Sequence, residues 1–151
     1  MINLDERSVN HSVKTEINRN VRILLVEDDF SSRLLLQTFL SRHGECHVAV
    51  NGKEAVEAFR VAAENGYRYD LVCMDLLMPE MDGRQAVREM RAIEEARRVR
   101  AISGSKIVMT TTVDAIKEVS RCFAELCDAY LTKPLDLGRL EAQMKAWELV
   151  E

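Results

Sequence analysis

The chain lacks any apolar run approaching the roughly 20 residues that a membrane span needs. Its start, Met1 to Asn20, is polar and has no apolar stretch of the kind that drives secretion. Cys46, Cys73, Cys122 and Cys127 form no CxxC pair and are too few for a disulfide scaffold. Two or three of them fall on apolar faces, so reduced, buried thiols in a cytoplasmic protein are expected. Positive charge is not in excess: 21 Lys and Arg stand against 25 Asp and Glu, a formal net charge of -4. That balance argues against nonspecific nucleic-acid binding. Neither an internal repeat nor an interdomain linker is evident.

What is present is a chain of 151 residues, 47% apolar and 30% charged, which suits one globular domain with a full core. Residues 1 to 20 read as an arm or short accessory helix, and 21 to 150 as the domain. Val21 to Val26 is a near-continuous apolar run, as in a parallel strand buried on both faces. A helix follows, with Ser31 or Ser32 as its cap, Leu34, Leu35, Phe39 and Leu40 at helical spacing, and Gly44 as its stop. Cys46 to Val50 reads as a strand. Asn51-Gly52 then leads into a helix whose inner face is Ala55, Val56, Ala58, Phe59 and Ala62. Leu71 to Met74 is the third strand. Gly83 to about Arg100 is helical, with Val87, Met90 and Ile93 on one stripe and a charged far end, Glu94 to Arg100, read as solvated. Ile107 to Thr110, a helix from about Asp114 to Leu126, the strand Ala129 to Thr132 and a helix from Leu137 to Leu149 complete the chain. Five alternations of strand and helix predict a parallel sheet with helices on both faces. In such sheets ligands bind beyond the carboxyl ends of the strands.

That rule gathers residues far apart in sequence. The first strand ends in Glu27-Asp28-Asp29, the third in Asp75, the fourth in Thr111 and the fifth in Lys133-Pro134. A carboxylate where a buried strand surfaces is costly to the core and useful to chemistry. Asp29 and Asp75 can each give an oxygen to a hard cation, Asp28 can hold a bound water, and the Leu77 backbone carbonyl can supply another ligand, a set that suits Mg²⁺ or Mn²⁺. With the cation and Lys133 offsetting the crowding of charge, Asp75 stays ionised and can attack phosphorus to give an acyl phosphate. Thr111 can donate its hydroxyl to a phosphoryl oxygen. Each residue also has a plainer reading: Asp28-Asp29 as a helix cap, Asp75 as a turn residue, Thr111 as a strand end, Lys133 as a solvated lysine. Their joint placement favours a site. Asp82, before Gly83, is expected to shape the turn or cap the helix after it. The Lys133-Pro134 bond is a candidate for the cis form.

The segments Leu24 to Asp29, Met74 to Gly83, Val108 to Thr112 and Tyr130 to Pro134 together resemble the receiver domain of two-component response regulators, over roughly Val21 to Val150. The resemblance implies a flavodoxin-like, doubly wound α/β fold, (βα)5, with strand order 2-1-3-4-5. It implies phosphorylation of Asp75 by a sensor histidine kinase or a histidine phosphotransfer protein, dependence on Mg²⁺, and Thr111 and Tyr130 as paired switch residues. The helix 4, strand 5 and helix 5 surface, with Lys117, Arg121, Tyr130 and Arg139, would then meet a downstream protein. No nucleic acid and no membrane are expected as partners. The sequence departs from the family by Leu126-Cys127 where a glycine often stands, by Thr112, and by the apolar Leu77 and Val113, which imply slow self-dephosphorylation. A stand-alone regulator is preferred to a receiver excised from a larger protein. A Mg²⁺-dependent phosphatase or phosphotransferase with an aspartyl nucleophile is the alternative, weakened because Leu77 stands where such enzymes carry an acid.

Overall fold

A computed structural model describes residues 20–99, 103–117, 119 and 126–151. Five parallel strands form one sheet: β1 (Val21–Val26), β2 (Gly44–Ala49), β3 (Leu71–Asp75), β4 (Lys106–Thr111) and β5 (Ala129–Thr132), in spatial order β2-β1-β3-β4-β5. The expected order is the observed one. The helices between and after them are α1 (Phe30–Leu40), α2 (Gly52–Glu64), α3 (Gly83–Ala96), α4 (Val113–Lys117) and α5 (Leu137–Ala146).

Alternation along the strands divides the core. Ile23 and Leu25 of β1 pack with Leu36 and Leu40 of α1 and Leu140 and Met144 of α5. Leu24 and Val26 point the other way, to Val56 and Phe59 of α2 and Val87 and Met90 of α3. The sheet is thus covered on both faces, which is why its central strands read as unbroken apolar runs.

Several local expectations change. Leu34 and Leu35 are 53% and 51% exposed, and α1 buries Leu36 and Leu40 instead. Residues four apart share one stripe, and Leu34 and Leu35 lie off it. The α1 cap is Asp29, not a serine: its Oδ2 accepts from the Ser32 backbone N–H at 2.9 Å. Gly44 does not stop that helix but opens β2, where a Cβ would collide with the Val21 carbonyl oxygen. The expected inner face of α2 is present, with Ala58 only half-buried. Helix α3 ends at Ala96, short of Arg100, and Arg98 turns the chain with φ 57°. Helix α5 ends at Ala146, and its N-cap is Asp136. The expected arm over residues 1 to 19, Arg121, Cys122 and most of the expected fourth helix lie outside the described residues. Cys73 is buried and Cys46 and Cys127 are half-buried, all as free thiols. Burial pushes Cys73 up to about 12 and the other two up to about 11, so these thiols stay protonated.

The charged end of α3 is not wholly solvated. Glu94 is buried; its Oε1 accepts from Arg91 Nη1 at 2.6 Å and its Oε2 from the Ser105 N–H at 2.8 Å. Arg91 also donates to the carbonyls of Leu126 and Ser105 and to Asp128 Oδ2, each at 2.9 Å. Asp128 Oδ2 in turn accepts from the Ile107 N–H at 2.8 Å. One guanidinium therefore ties α3 to the starts of β4 and β5. Arg91→Met would leave Glu94 and Asp128 without their cation, and is expected to lower unfolding free energy by about 2–3 kcal/mol. Arg60→Met, which breaks the exposed Arg60–Glu57 pair, is expected to change it by less than about 0.5 kcal/mol. Urea titration of both variants checks the contrast.

Candidate functional site

Strand register builds the site. Val26 pairs with Met74, so Glu27, one residue on, falls beside Asp75; Asp75 itself pairs with Thr110. Thr111 pairs with Thr132, which puts Lys133 one step past the end of β5. The sheet hydrogen bonds continue just beyond the strands, from the Glu27 N–H to the Ala49 carbonyl at 3.2 Å and from the Lys133 N–H to the Thr111 carbonyl at 2.7 Å. Backbone pairing thus carries the ends of four strands to one place.

There the carboxylates of Glu27, Asp28 and Asp75 offer oxygens that all lie within 4.8 Å of one another. Lys133 Nζ reaches Asp75 Oδ2 at 3.4 Å and Glu27 Oε2 at 3.4 Å. Asp29, expected as a ligand, is not in this cluster, because its carboxylate is turned to the start of α1 as the cap. Glu27, fully buried, takes the place expected for it. The hydrogen bond from the Ser32 N–H, the largest influence on Asp29, holds that carboxyl below its ordinary value. The sequence did contain the signal: Asp29 stands three residues before Ser32 at a helix start, which is the spacing of a cap.

Asp75 is buried, and burial, followed by the negative field of Glu27, pushes its carboxyl up to about 7 against the opposing pull of Lys133. Hydrogen bonds to the Asp28 and Glu27 carboxyls favour the protonated form further. Burial works against the charged form of Lys133, but the Asp75 and Glu27 charges outweigh it, and the ammonium is held above its ordinary value. Three hard oxygen donors with only one ammonium between them carry surplus negative charge, and this donor set fits a small divalent cation.

The remaining expected residues fall around this centre. Thr111 is buried, with its hydroxyl directed to the Thr112 carbonyl at 3.4 Å and not to Asp75. Tyr130 is half-buried with a buried hydroxyl; burial first, then the Cys127 thiol beside it, raises the phenol above its ordinary value. Leu77 and Val113 are 55% and 53% exposed. The Lys133-Pro134 bond is cis. Asp82 caps α3 by accepting from the Gln85 N–H at 3.1 Å. Gly83 is required by close approach: a Cβ there would lie 2.6 Å from the Asp75 carbonyl oxygen. That packing sets α3 directly against the end of β3. A cavity of about 760 Å³ lined by Arg22, Tyr67, Arg68 and Glu94 lies at the opposite end of the sheet and includes none of these groups.

Comparison with known proteins agrees with the geometry. Residues 23–145 match the response regulator receiver domain family. The chain is 32% identical over 114 residues to the chemotaxis protein CheY of Halobacterium salinarum, covering 75% of this chain and 84% of that protein. It is 36% identical over 131 residues to the sensor protein GacS of Pseudomonas syringae, covering 86% of this chain but 14% of that protein. The regulatory protein AtoC of Escherichia coli is 38% identical over 129 residues, with 83% of this chain and 24% of that protein covered. The chain thus spans less than a quarter of these two larger relatives. Among solved structures, the receiver domain of the Saccharomyces cerevisiae response regulator Ssk1, co-crystallised with the histidine phosphotransfer protein Ypd1, has a TM-score of 0.69 at 27% identity, covering 85% of this chain and 88% of that one. The chain belongs to the response regulator receiver domain family, a signalling family and not a catalytic one, and has its flavodoxin-like fold. Among the described residues no helix is long and apolar enough to cross a membrane.

The raised Asp75 value fixes the sign of a pH effect. An acid whose folded value, about 7, lies above its ordinary value of 3.8 binds more protons folded than unfolded between those limits. In chelator-treated protein, stability is therefore expected to fall as pH rises from about 4 to about 7 and then level. Asp75→Asn removes this loss, so the variant is expected to be more stable than the parent above pH 7. Denaturant titrations at pH 5 and pH 8 measure the difference.

Proposed function

We propose that the chain is a phosphorylation-controlled switch of a two-component phosphorelay in which Asp75 is the phosphoryl acceptor. The observation that carries this reading is the buried Asp75 with Glu27 and Asp28 within 4.8 Å and Lys133 at 3.4 Å. Glu27, Asp28 and Asp75, with the Leu77 carbonyl as a further ligand, would hold Mg²⁺ or Mn²⁺. Such a cation, when bound, neutralises charge on the phosphoryl oxygens and keeps Asp75 ionised. An Asp75 Oδ–P bond forms as the P–N bond of a donor phosphohistidine breaks, its electron pair passing to the imidazole nitrogen. Lys133 pairs with a phosphoryl oxygen, and the Thr111 hydroxyl donates to another once its loop has turned inward. Tyr130 moves with Thr111, and the α4, β5 and α5 surface, with Lys117 and Arg139, changes for a downstream protein.

The donor is a sensor histidine kinase or a histidine phosphotransfer protein, and the setting is cytoplasmic. Residues 21 to 150 form the receiver. Phe30, Leu77 and Val113, each more than half exposed and each just past a strand end, supply an apolar rim for the donor around the acidic centre. The aspartyl phosphatase reading has less support, because Leu77 offers no general acid.

Two measurements test this. Acetyl phosphate with Mg²⁺ is expected to add one phosphoryl group to the parent and none to Asp75→Asn, read by intact mass; a labelled Asp75→Asn defeats the assignment. Self-dephosphorylation is expected to be slow, because apolar Leu77 and Val113 cannot orient an attacking water. Leu77→Asn with Val113→Glu is expected to shorten the acyl-phosphate lifetime about tenfold or more, a smaller factor than the hundredfold or greater typical of a fully positioned acid or base. An unchanged decay curve would contradict this explanation of the lifetime.

A further inference from the structure

Asp28 is the one member of the carboxylate cluster that is exposed, standing between the end of β1 and the cap of α1. Its aim depends on a short stretch of loop backbone. The carbonyls of Glu27 and Asp28 leave the sheet there, and among the described residues both accept from one donor: Arg33 Nη1, at 3.1 Å and 3.3 Å. The same guanidinium stands 5.5 Å from the centre of the Phe30 ring, a cation–π distance. The loop is tied on its inner side too, by the Asp29 N–H to Glu27 Oε1 at 3.2 Å and the Ser32 N–H to Asp29 Oδ2 at 2.9 Å. Lys133 occupies the other Glu27 oxygen.

We infer that Arg33 is a positioning residue for cation binding: by bridging the Glu27 and Asp28 carbonyls it fixes the β1–α1 loop so that the Asp28 carboxylate faces Asp75. The inference rests on the cation-binding reading of the cluster given above. Groups that orient metal ligands from behind typically change metal affinity when lost. Arg33 makes the sign of the effect informative. A guanidinium near three carboxylates repels an incoming cation, so electrostatics alone predicts tighter binding when it is removed. Positioning predicts the reverse.

The experiment uses Arg33→Met, which keeps the stem and loses the donors, and Arg33→Lys, which keeps the charge but not the planar fork. Mn²⁺ binding is measured by electron paramagnetic resonance, and amide hydrogen exchange is measured on metal-free protein. Arg33→Met is expected to weaken Mn²⁺ binding about tenfold and to speed exchange at the Asp29 and Ser32 amides while Val72 in β3 stays protected. Arg33→Lys is expected to recover part of both. Unchanged exchange at Asp29 and Ser32, or unchanged or tighter Mn²⁺ binding, overturns the inference. If the parent itself binds no Mn²⁺, the cation reading of the cluster fails, and exchange in the metal-free chain alone decides whether Arg33 holds the loop. Should Arg33→Met not fold, the same measurements on Arg33→Lys decide, with parental values again overturning the inference.

Discussion

The interaction on which the rest depends is repulsion among Glu27, Asp28 and Asp75, whose oxygens lie within 4.8 Å of one another. At such a separation, and an effective dielectric of about 20, each ionised pair opposes assembly by about 3–4 kcal/mol. Lys133, at 3.4 Å from both Glu27 and Asp75, offsets part of this and not all. The buried Asp75 answers by favouring its proton, reaching about 7. The backbone does not yield to the repulsion, because parallel pairing of β1 with β3 and of β4 with β5 fixes where each strand ends. The apolar strands thus hold an arrangement that the charged groups alone would scatter, and the resulting deficit of positive charge is what suits the place to a cation.

The same register explains what was readable in the sequence and what was not. Asp75 follows an apolar run directly, and Thr111 and Lys133 each follow one after a single threonine, so their position at a strand's carboxyl end could be read from local pattern. Glu27-Asp28-Asp29 presents three acids in a row, and local pattern does not say which two turn inward. That choice is made by the pairing of Val26 with Met74, a relation between residues 48 apart in the chain. The cap settles the third acid: once Asp29 accepts from the Ser32 N–H, its carboxylate is committed to the helix.

The fold class and the strand order were legible because both faces of the sheet are covered and its central strands β1, β3 and β4 are strongly apolar, unlike the edge strand β2 with Glu45 and His47. Helix faces were less so. Leu34 and Leu35 stand at helical spacing with Phe39 and Leu40, yet α1 buries only Leu36 and Leu40 against the sheet. The Glu94 to Arg100 run looked solvated because charge dominates it. Glu94 is nevertheless buried, through bonds to Arg91 and Ser105. Arg91 also draws partners from Leu126 and Asp128, just before β5 and 35 and 37 residues away, and no helical period reports such a contact. Arg33 was missed for a similar reason, since its bonds run to backbone carbonyls, which carry no sequence signature.

On the proposed reading, an acidic centre inside an apolar rim constrains how a donor can approach. Phe30, Leu77 and Val113 are 67%, 55% and 53% exposed, and a partner that covers them gains hydrophobic contact. Covering them also strips water from the carboxylates beneath, which is unfavourable while their charge is uncompensated. On the proposed reading, a bound cation and Lys133 remove much of that opposition before the donor arrives. Cation binding and donor docking are then linked, each strengthening the other by the same factor. Phosphoryl transfer draws on both, since dehydration of the centre strengthens the interactions of Lys133 and of the carboxylates with the group in flight. The apolar rim and the acidic centre, separate features in the free chain, thus act as one device when the donor is seated.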